Sequence, residues 1–187
     1  TFTETTSQLI ERLKRGERLY LPTNEPLEFE RKDLPIDPYV LGVLIGDGCM
    51  TNSQWTDNRT CLLISNNEND VVKRFASRLK STRIVEYKKS YTKSVYCDDA
   101  FAIHKYLKDV GLCTYSYNKY IPKEYLFSSI EQRKELLAGL FDTDGCVDDG
   151  SFRFTTTSER LRDDVLHLVR SLGYNATWTK DKRAYKY

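Results

Sequence analysis

Two nine-residue stretches, Val40-Leu-Gly-Val-Leu-Ile-Gly-Asp-Gly48 and Leu137-Ala-Gly-Leu-Phe-Asp-Thr-Asp-Gly145, align without a gap 97 residues apart. Each is an apolar helical run with a glycine midway (Gly42, Gly139), a small residue one turn later (Gly46, Thr143) and an aspartate at the helix end (Asp47, Asp144). Positions i and i+4 share a helix face, and a face without bulk lets two backbones approach closely. The pattern predicts that the two helices pack side by side about a pseudo-twofold axis, with Gly42 and Gly139 at the contact and Asp47 meeting Asp144 at the C-terminal ends. Two carboxylates at two negative helix-dipole ends repel each other. A hard divalent cation that keeps water and phosphate oxygens as its other ligands removes that repulsion. Such an arrangement is suited to phosphodiester hydrolysis.

The elements around the two stretches repeat in the same order. Asp37 followed by Pro38 reads as the N-cap and first position of one motif helix, and Ser129 with Gln132 three residues on reads as a capping box for the other. Strand-like residues follow in each half, 61–65 in the first and 146–147 turning through Asp149-Gly150 into 151–156 in the second. Next comes an amphipathic helix, lined by Val71, Val72, Phe75 and Leu79 in one half. In the other it is lined by Leu161, Val165, Leu168 and Leu172, with Ser158 as cap and Gly173 as stop. Strand pairs 83–87 with 92–96, and 175–179 with 183–187, close the parallel. The first half then adds a helix over 100–110, and the second half ends without its counterpart. Ahead of the repeats, residues 5–15 form a short helix with Leu9, Ile10 and Leu13 facing inward, and 16–22 a turn and strand. The expected division is an N-terminal segment 1–33, a first repeat 34–127 and a second, shortened repeat 128–187.

The chain has 187 residues, 40% of them hydrophobic, enough for one sizeable globular unit. It contains no run of eighteen apolar residues and begins without a charged-then-apolar signal, so the expectation is a soluble intracellular protein, in cytoplasm or nucleus, with no membrane partner. Five cysteines form no CxxC pair. Cys49 and Cys146 each follow a key aspartate by two residues, but thiolates are poor ligands for Mg²⁺, and small buried filler is the reading. His104 and His167 sit in apolar helical runs as core-edge residues. The net charge is only +2, yet residues 73–93 hold eight Lys or Arg against one acid, Glu86, and 180–187 are similarly basic. Interleaved with Tyr87, Tyr91, Trp178 and Tyr185, these runs suit phosphate neutralisation with base or sugar contact. Lys73, Arg83, Lys88, Lys89, Arg153, Lys180, Lys182 and Arg183 are the candidate nucleic-acid contacts. An EF-hand reading of 142–150 fails because glycine falls at loop position four rather than six. Asp142 aligns with Ile45 and reads as structural, Asp148 and Asp149 as hairpin residues.

The paired motifs resemble the two signature repeats of the LAGLIDADG homing endonucleases. The second copy is nearly the family consensus. The first, with Ile45-Gly46-Asp47-Gly48, and the run Asn118-Lys119-Tyr120-Ile121-Pro122 are similar to the endonuclease domains embedded in inteins. The resemblance covers roughly residues 34 to 187. It implies an α+β fold of two pseudo-symmetric αββαββ(α) repeats, whose curved antiparallel sheets form a saddle on double-stranded DNA, with the motif helices at the repeat interface. It further implies a monomer, derived from a host-protein intein, that cuts both strands at a long asymmetric site and leaves 3′ overhangs. Asp47 and Asp144 would hold Mg²⁺, with Mn²⁺ as a substitute, aided by the backbone carbonyls of Gly46 and Thr143. A basic residue near the metal is also implied, and Lys93 and Lys186 are the candidates, with Lys89 and Lys182 behind them. Splicing is not expected, since no terminal His-Asn pair is present. The competing readings are a non-catalytic DNA-binding regulator and an intron-RNA maturase that keep the fold.

Overall fold

The structure, a computed structural model, describes residues 3–20, 24–50, 61–88 and 90–180. Seven α-helices and five strands lie among them: α1 Thr6–Lys14, α2 Pro38–Asp47, β1 Cys61–Ser65, α3 Asn69–Ser77, β2 Arg83–Glu86, β3 Thr92–Tyr96, α4 Ala100–Asp109, α5 Lys123–Leu126, α6 Ile130–Asp144, β4 Gly145–Asp148, β5 Ser151–Phe154 and α7 Glu159–Ser171. A 3-10 turn, Ser116–Asn118, precedes α5. The caps form where the sequence places them. Asp37 accepts from the Tyr39 and Val40 N–H groups at the start of α2, and Ser129 and Gln132 form the reciprocal box at the start of α6.

The architecture is α+β with two antiparallel sheets, one of order β1-β3-β2 and one of β4-β5. The β4-β5 hairpin turns through Asp149 and Gly150, both at positive φ (47° and 73°), as a two-residue turn requires. In each half the glycine after the key aspartate pairs with the last apolar residue of the next strand: Gly48 bridges Ile64, and Gly145 faces Phe154. Directly paired residues share a sheet face, so Leu62, Ile64 and Val95 lie together on the face that α3 covers with Val71, Val72 and Phe75. The other face carries Leu63, Ser65, Arg83, Val85, Thr92 and Tyr96.

α2 and α6 cross at the centre, and Tyr39 through Ile45 of α2 are buried all round. Residues 27–36 are strapped onto α5, α6 and the end of α7. Arg133, wholly buried, donates from Nε to Ser128 O (2.9 Å), from one terminal nitrogen to Ser171 O (2.9 Å) and Ser171 Oγ (2.6 Å), and from the other to Leu27 O, with Phe29 beneath the guanidinium. Gln132 bonds Lys32 at both its N–H and C=O, and the Tyr125 hydroxyl does the same for Ile36. Arg133→Met would leave Ser128 O and Leu27 O without the guanidinium, Ser171 O keeping Leu27 N as a donor, and buried unsatisfied groups cost about 1–3 kcal/mol each. The expected outcome is a loss of about 3 kcal/mol or more by urea unfolding. Arg133→Lys should recover little of it, because one ammonium has no planar fork to span the carbonyls.

Three expectations differ. The apolar face of α1 is not inward: Ile10 and Leu13 are 47% and 57% exposed. The helix forms because Thr5 and Gln8 cap it reciprocally, and amphipathic spacing says nothing of what covers the apolar side. Residues 17–20 form no strand after the Gly16 turn. Residues 175–179 form no strand either; a strand needs a ladder, and its expected partner, 183–187, lies outside the described residues. No helix among the described residues is long and apolar enough to cross a membrane.

Candidate active site

The glycine contact obeys the 97-residue shift atom by atom. A Cβ on Gly42 would lie 2.5 Å from Leu136 O, 2.9 Å from Gly139 Cα and 2.9 Å from Leu140 N. One on Gly139 would strike Tyr39 O and come within 3.0 Å of Val43 N and 3.1 Å of Gly42 Cα. Tyr39 and Val43 are the shifted equivalents of Leu136 and Leu140. One turn later Gly46 meets Thr143, and its Cβ position lies 3.2 Å from the Asp144 carboxylate. Thr143 turns its hydroxyl back onto Leu140 O (2.8 Å) and Gly139 O (3.2 Å), which keeps the side chain against its own helix.

Asp47 and Asp144 are the last residues of α2 and α6 and are half-buried. Burial is the main cause that raises both carboxyls above their ordinary value, and the charge of Asp47 raises Asp144 further. Their neighbour is Lys119, only 7% exposed. Its Nζ donates to Ile45 O (2.5 Å), Gly46 O (3.0 Å) and Gly48 O (3.4 Å), carbonyls that the end of α2 leaves without helical partners. Burial lowers the lysine, and the attraction of Asp144 and then Asp47 opposes that. Asn66, also buried, donates from Nδ2 to Asp47 Oδ2 (2.6 Å) and accepts from Glu68 N at Oδ1 (2.7 Å). In the second half Thr156 matches it, accepting from Ser158 N (3.1 Å), but no hydrogen bond from any described residue reaches the Asp144 carboxylate.

The net direction for Asp144 has a consequence for stability. Its folded value lies above the unfolded one, so the native state holds the proton more tightly. The cost of the charge is absent below the unfolded carboxylate value, grows as pH rises towards the folded value, and is full above it. Asp144→Asn is therefore expected to melt higher than wild type at pH 7 without divalent ions, the gap closing towards pH 3.5. A gap independent of pH, seen by calorimetry, would contradict this.

Gly42, Gly139, Gly46, Thr143, Asp47 and Asp144 come together as the sequence predicts. Lys93 does not join them. Its partner in the sheet is Ile64, so strand parity turns it to the α3 side, where Nζ bonds Asn69 Oδ1 (3.0 Å) and pairs with Glu86 (3.3 Å). Lys119 went unread, though the signal was present as the lysine of the Asn118–Pro122 run. Lys89, Lys182, Arg183 and Lys186 lie outside the described residues. Arg83 stacks on Tyr96 (4.5 Å) on the open sheet face, whereas Lys73 points outward from α3. Lys88 and Lys180 are exposed, and Arg153 pairs with Asp148 (2.8 Å) across the hairpin. Asp142 is structural, as expected: it accepts from the Tyr39 hydroxyl (2.7 Å) and pairs with Arg74 (3.2 Å). Cys49 and Cys146 are exposed rather than buried filler: Cys49 turns outward between the buried Gly48 and Met50, and Cys146 lies on the exposed strand β4.

No group of three or more His, Cys, Asp or Glu side chains suited to a metal gathers among the described residues. Among the described residues the donor set is two carboxylates and backbone carbonyls facing one ammonium, a net charge of −1 from these groups. Hard oxygen donors and residual negative charge fit a divalent cation that brings water and phosphate as further ligands.

The sequence model of the family described as "LAGLIDADG-like domain" matches residues 131–187. The replicative DNA helicase DnaB of Mycobacterium intracellulare is 32% identical over 158 residues. That match takes in 84% of this chain but spans only 22% of the helicase's length. Among solved structures, one from a study of mesophilic variants of the homing endonuclease I-DmoI is 17% identical, covers 74% of this chain and 77% of that one, and superposes with a TM-score of 0.50. That likeness is one of fold.

Proposed function

We propose, from the premise that this chain belongs to the LAGLIDADG family, that it is an endonuclease which cuts both strands of duplex DNA at a long, asymmetric site. The observation that carries the reading is the convergence of Asp47, Asp144 and Lys119 at paired helix ends. In hydrolysis water attacks phosphorus and the bond to the 3′ oxygen breaks, so negative charge grows on the phosphate and the leaving oxygen. Asp47 and Asp144, with the carbonyls of Gly46 and Thr143, would hold Mg²⁺ or Mn²⁺, which supplies a more acidic water and offsets phosphate charge. Asn66 fixes the rotamer of the Asp47 carboxylate, as an outer partner does for a ligating group. Lys119 keeps the two carboxylates ionised beside each other and presents a fixed positive charge where negative charge develops.

The open sheet face, with Arg83, Tyr96, Thr92 and Ser65, and the β4-β5 hairpin with Arg153 would lie in the major groove, base contacts coming from strand side chains and phosphate contacts from Lys and Arg. The halves differ in sequence, so the site read is asymmetric and one chain suffices. The likeness to a segment of a helicase chain supports an intein origin. The P-loop signature of a nucleotide-driven motor, G-x-x-x-x-G-K-[ST], is absent from these 187 residues.

The test is selection from a randomised duplex library. Selective double-strand cuts are expected with Mg²⁺ or Mn²⁺, lost on chelation and restored by Mn²⁺. Retention of specific duplex without cutting would make the chain a binding module, and retention of RNA alone would make it a maturase.

A further inference from the structure

Lys119 belongs to the first half and its ammonium sits on the end of α2, yet its main chain is held by the second half. Three consecutive residues, 119 to 121, each touch α7 or its cap. The Ser158 hydroxyl, itself buried, donates to Lys119 O (2.7 Å) while accepting the capping bond from Leu161 N (3.1 Å). The Arg160 guanidinium lies 3.5 Å from the centre of the Tyr120 ring. Asp164 Oδ2 accepts from Ile121 N (2.8 Å). Residues 119–122 belong to no helix or strand, so no ladder fixes their position. The lysine side chain adds four rotatable bonds beyond its Cα.

We propose that the start of α7, through Ser158, Arg160 and Asp164, is the seat that positions Lys119, so that the second half of the molecule sets the basic group of the first half's aspartate. These three are positioning residues. The inference rests on the role given to Lys119 above. Reacting groups displaced by about 1 Å can lose about 10²-fold in rate, and the seat fixes Lys119 against such drift. Only three residues separate Ser158 from the end of β5, so the strand that would read the second half-site is joined directly to this seat.

The test uses the full chain and two readouts. Trace labelling of amines with acetic anhydride, read by peptide mass spectrometry, should modify Lys119 at least tenfold faster in Asp164→Ala than in wild type, relative to the exposed Lys123 and Lys134 of the same molecule. Asp164→Asn, which keeps an acceptor for Ile121 N, should restore protection. Arg160→Ala, a change at an exposed residue, should raise labelling in the same direction and serves if Asp164→Ala does not fold. In single-turnover cleavage of a duplex recovered from the library, Asp164→Ala should slow the chemical step about 10–100-fold with DNA affinity unchanged. It should have no further effect in a Lys119→Met background. Unchanged Lys119 labelling in both variants, or an equal rate loss with and without Lys119, would overturn the proposal. The labelling needs no nuclease activity, so failure of the seat and failure of the endonuclease reading give different results.

Discussion

Gly42→Leu is expected to leave no folded protein at room temperature, and Gly42→Ala to cost about 3 kcal/mol or more, read as a fall in the urea midpoint with little change in slope. The added Cβ would meet Leu136 O, Gly139 Cα and Leu140 N at 2.5–2.9 Å. All three are backbone atoms of α6, so no rotamer change makes room. The helices must part, and α2 cannot move freely because Tyr39 through Ile45 are packed on every side. Gly139→Ala should cost as much, since the clash is the same one seen from the other helix. Gly46→Ala should behave differently. Its Cβ meets the Thr143 side chain and the Asp144 carboxylate rather than backbone. The protein should fold with a smaller loss of stability, and DNA cleavage should suffer more than the melting temperature. Equal stability losses at all three glycines would mean that the helices are held apart by something other than this contact.

Asp47→Asn is expected to reduce cleavage about 10³-fold or more while DNA binding persists, and Lys119→Met about 10²–10³-fold, the range found when a fixed electrostatic partner of a transition state is removed. Asparagine matches aspartate in shape, and its side-chain oxygen still accepts from Asn66 Nδ2, so the loss reports the charge rather than the packing. Lys119→Met has a second consequence. The carbonyls of Ile45, Gly46 and Gly48 lose their donor, and the aspartates lose the Lys119 ammonium beside them. Stability should therefore fall, and adding Asp144→Asn should recover part of it. Single-turnover rates on a recovered duplex, with Tm measured alongside, check both variants. Full activity of Lys119→Met would remove the lysine from the mechanism.

Those residues differ in how legible they were. The two aspartates, the glycine pair, both caps and the Asp149-Gly150 turn follow from local rules, in which spacing of 3.6 residues, cap chemistry and positive φ leave one solution. Lys93 and Lys119 do not. The resemblance, which implies a basic residue near the metal, points to Lys93, but whether a strand residue faces the core or the open side depends on register, and pairing with Ile64 turns it inward. Lys119 reaches the site from a segment without regular structure, more than seventy residues after Asp47, so periodicity has nothing to say about it. The α1 face and the exposed thiols at Cys49 and Cys146 miss for a related reason. A sequence shows which side of an element is apolar or small, and the tertiary neighbours decide whether anything covers it.

The near-perfect twofold character of the glycine contact constrains how the two halves can drift apart. Tyr39 O is to Gly139 what Leu136 O is to Gly42. The seam is therefore a single mutational target written twice, and a larger residue on either strand of its history fails for the same reason. Asn66 and Thr156 lie off that seam, and there the two halves carry different residues. Differences between the halves should be read outward from the axis: least where the helices touch, greatest on the sheet faces that lie away from it.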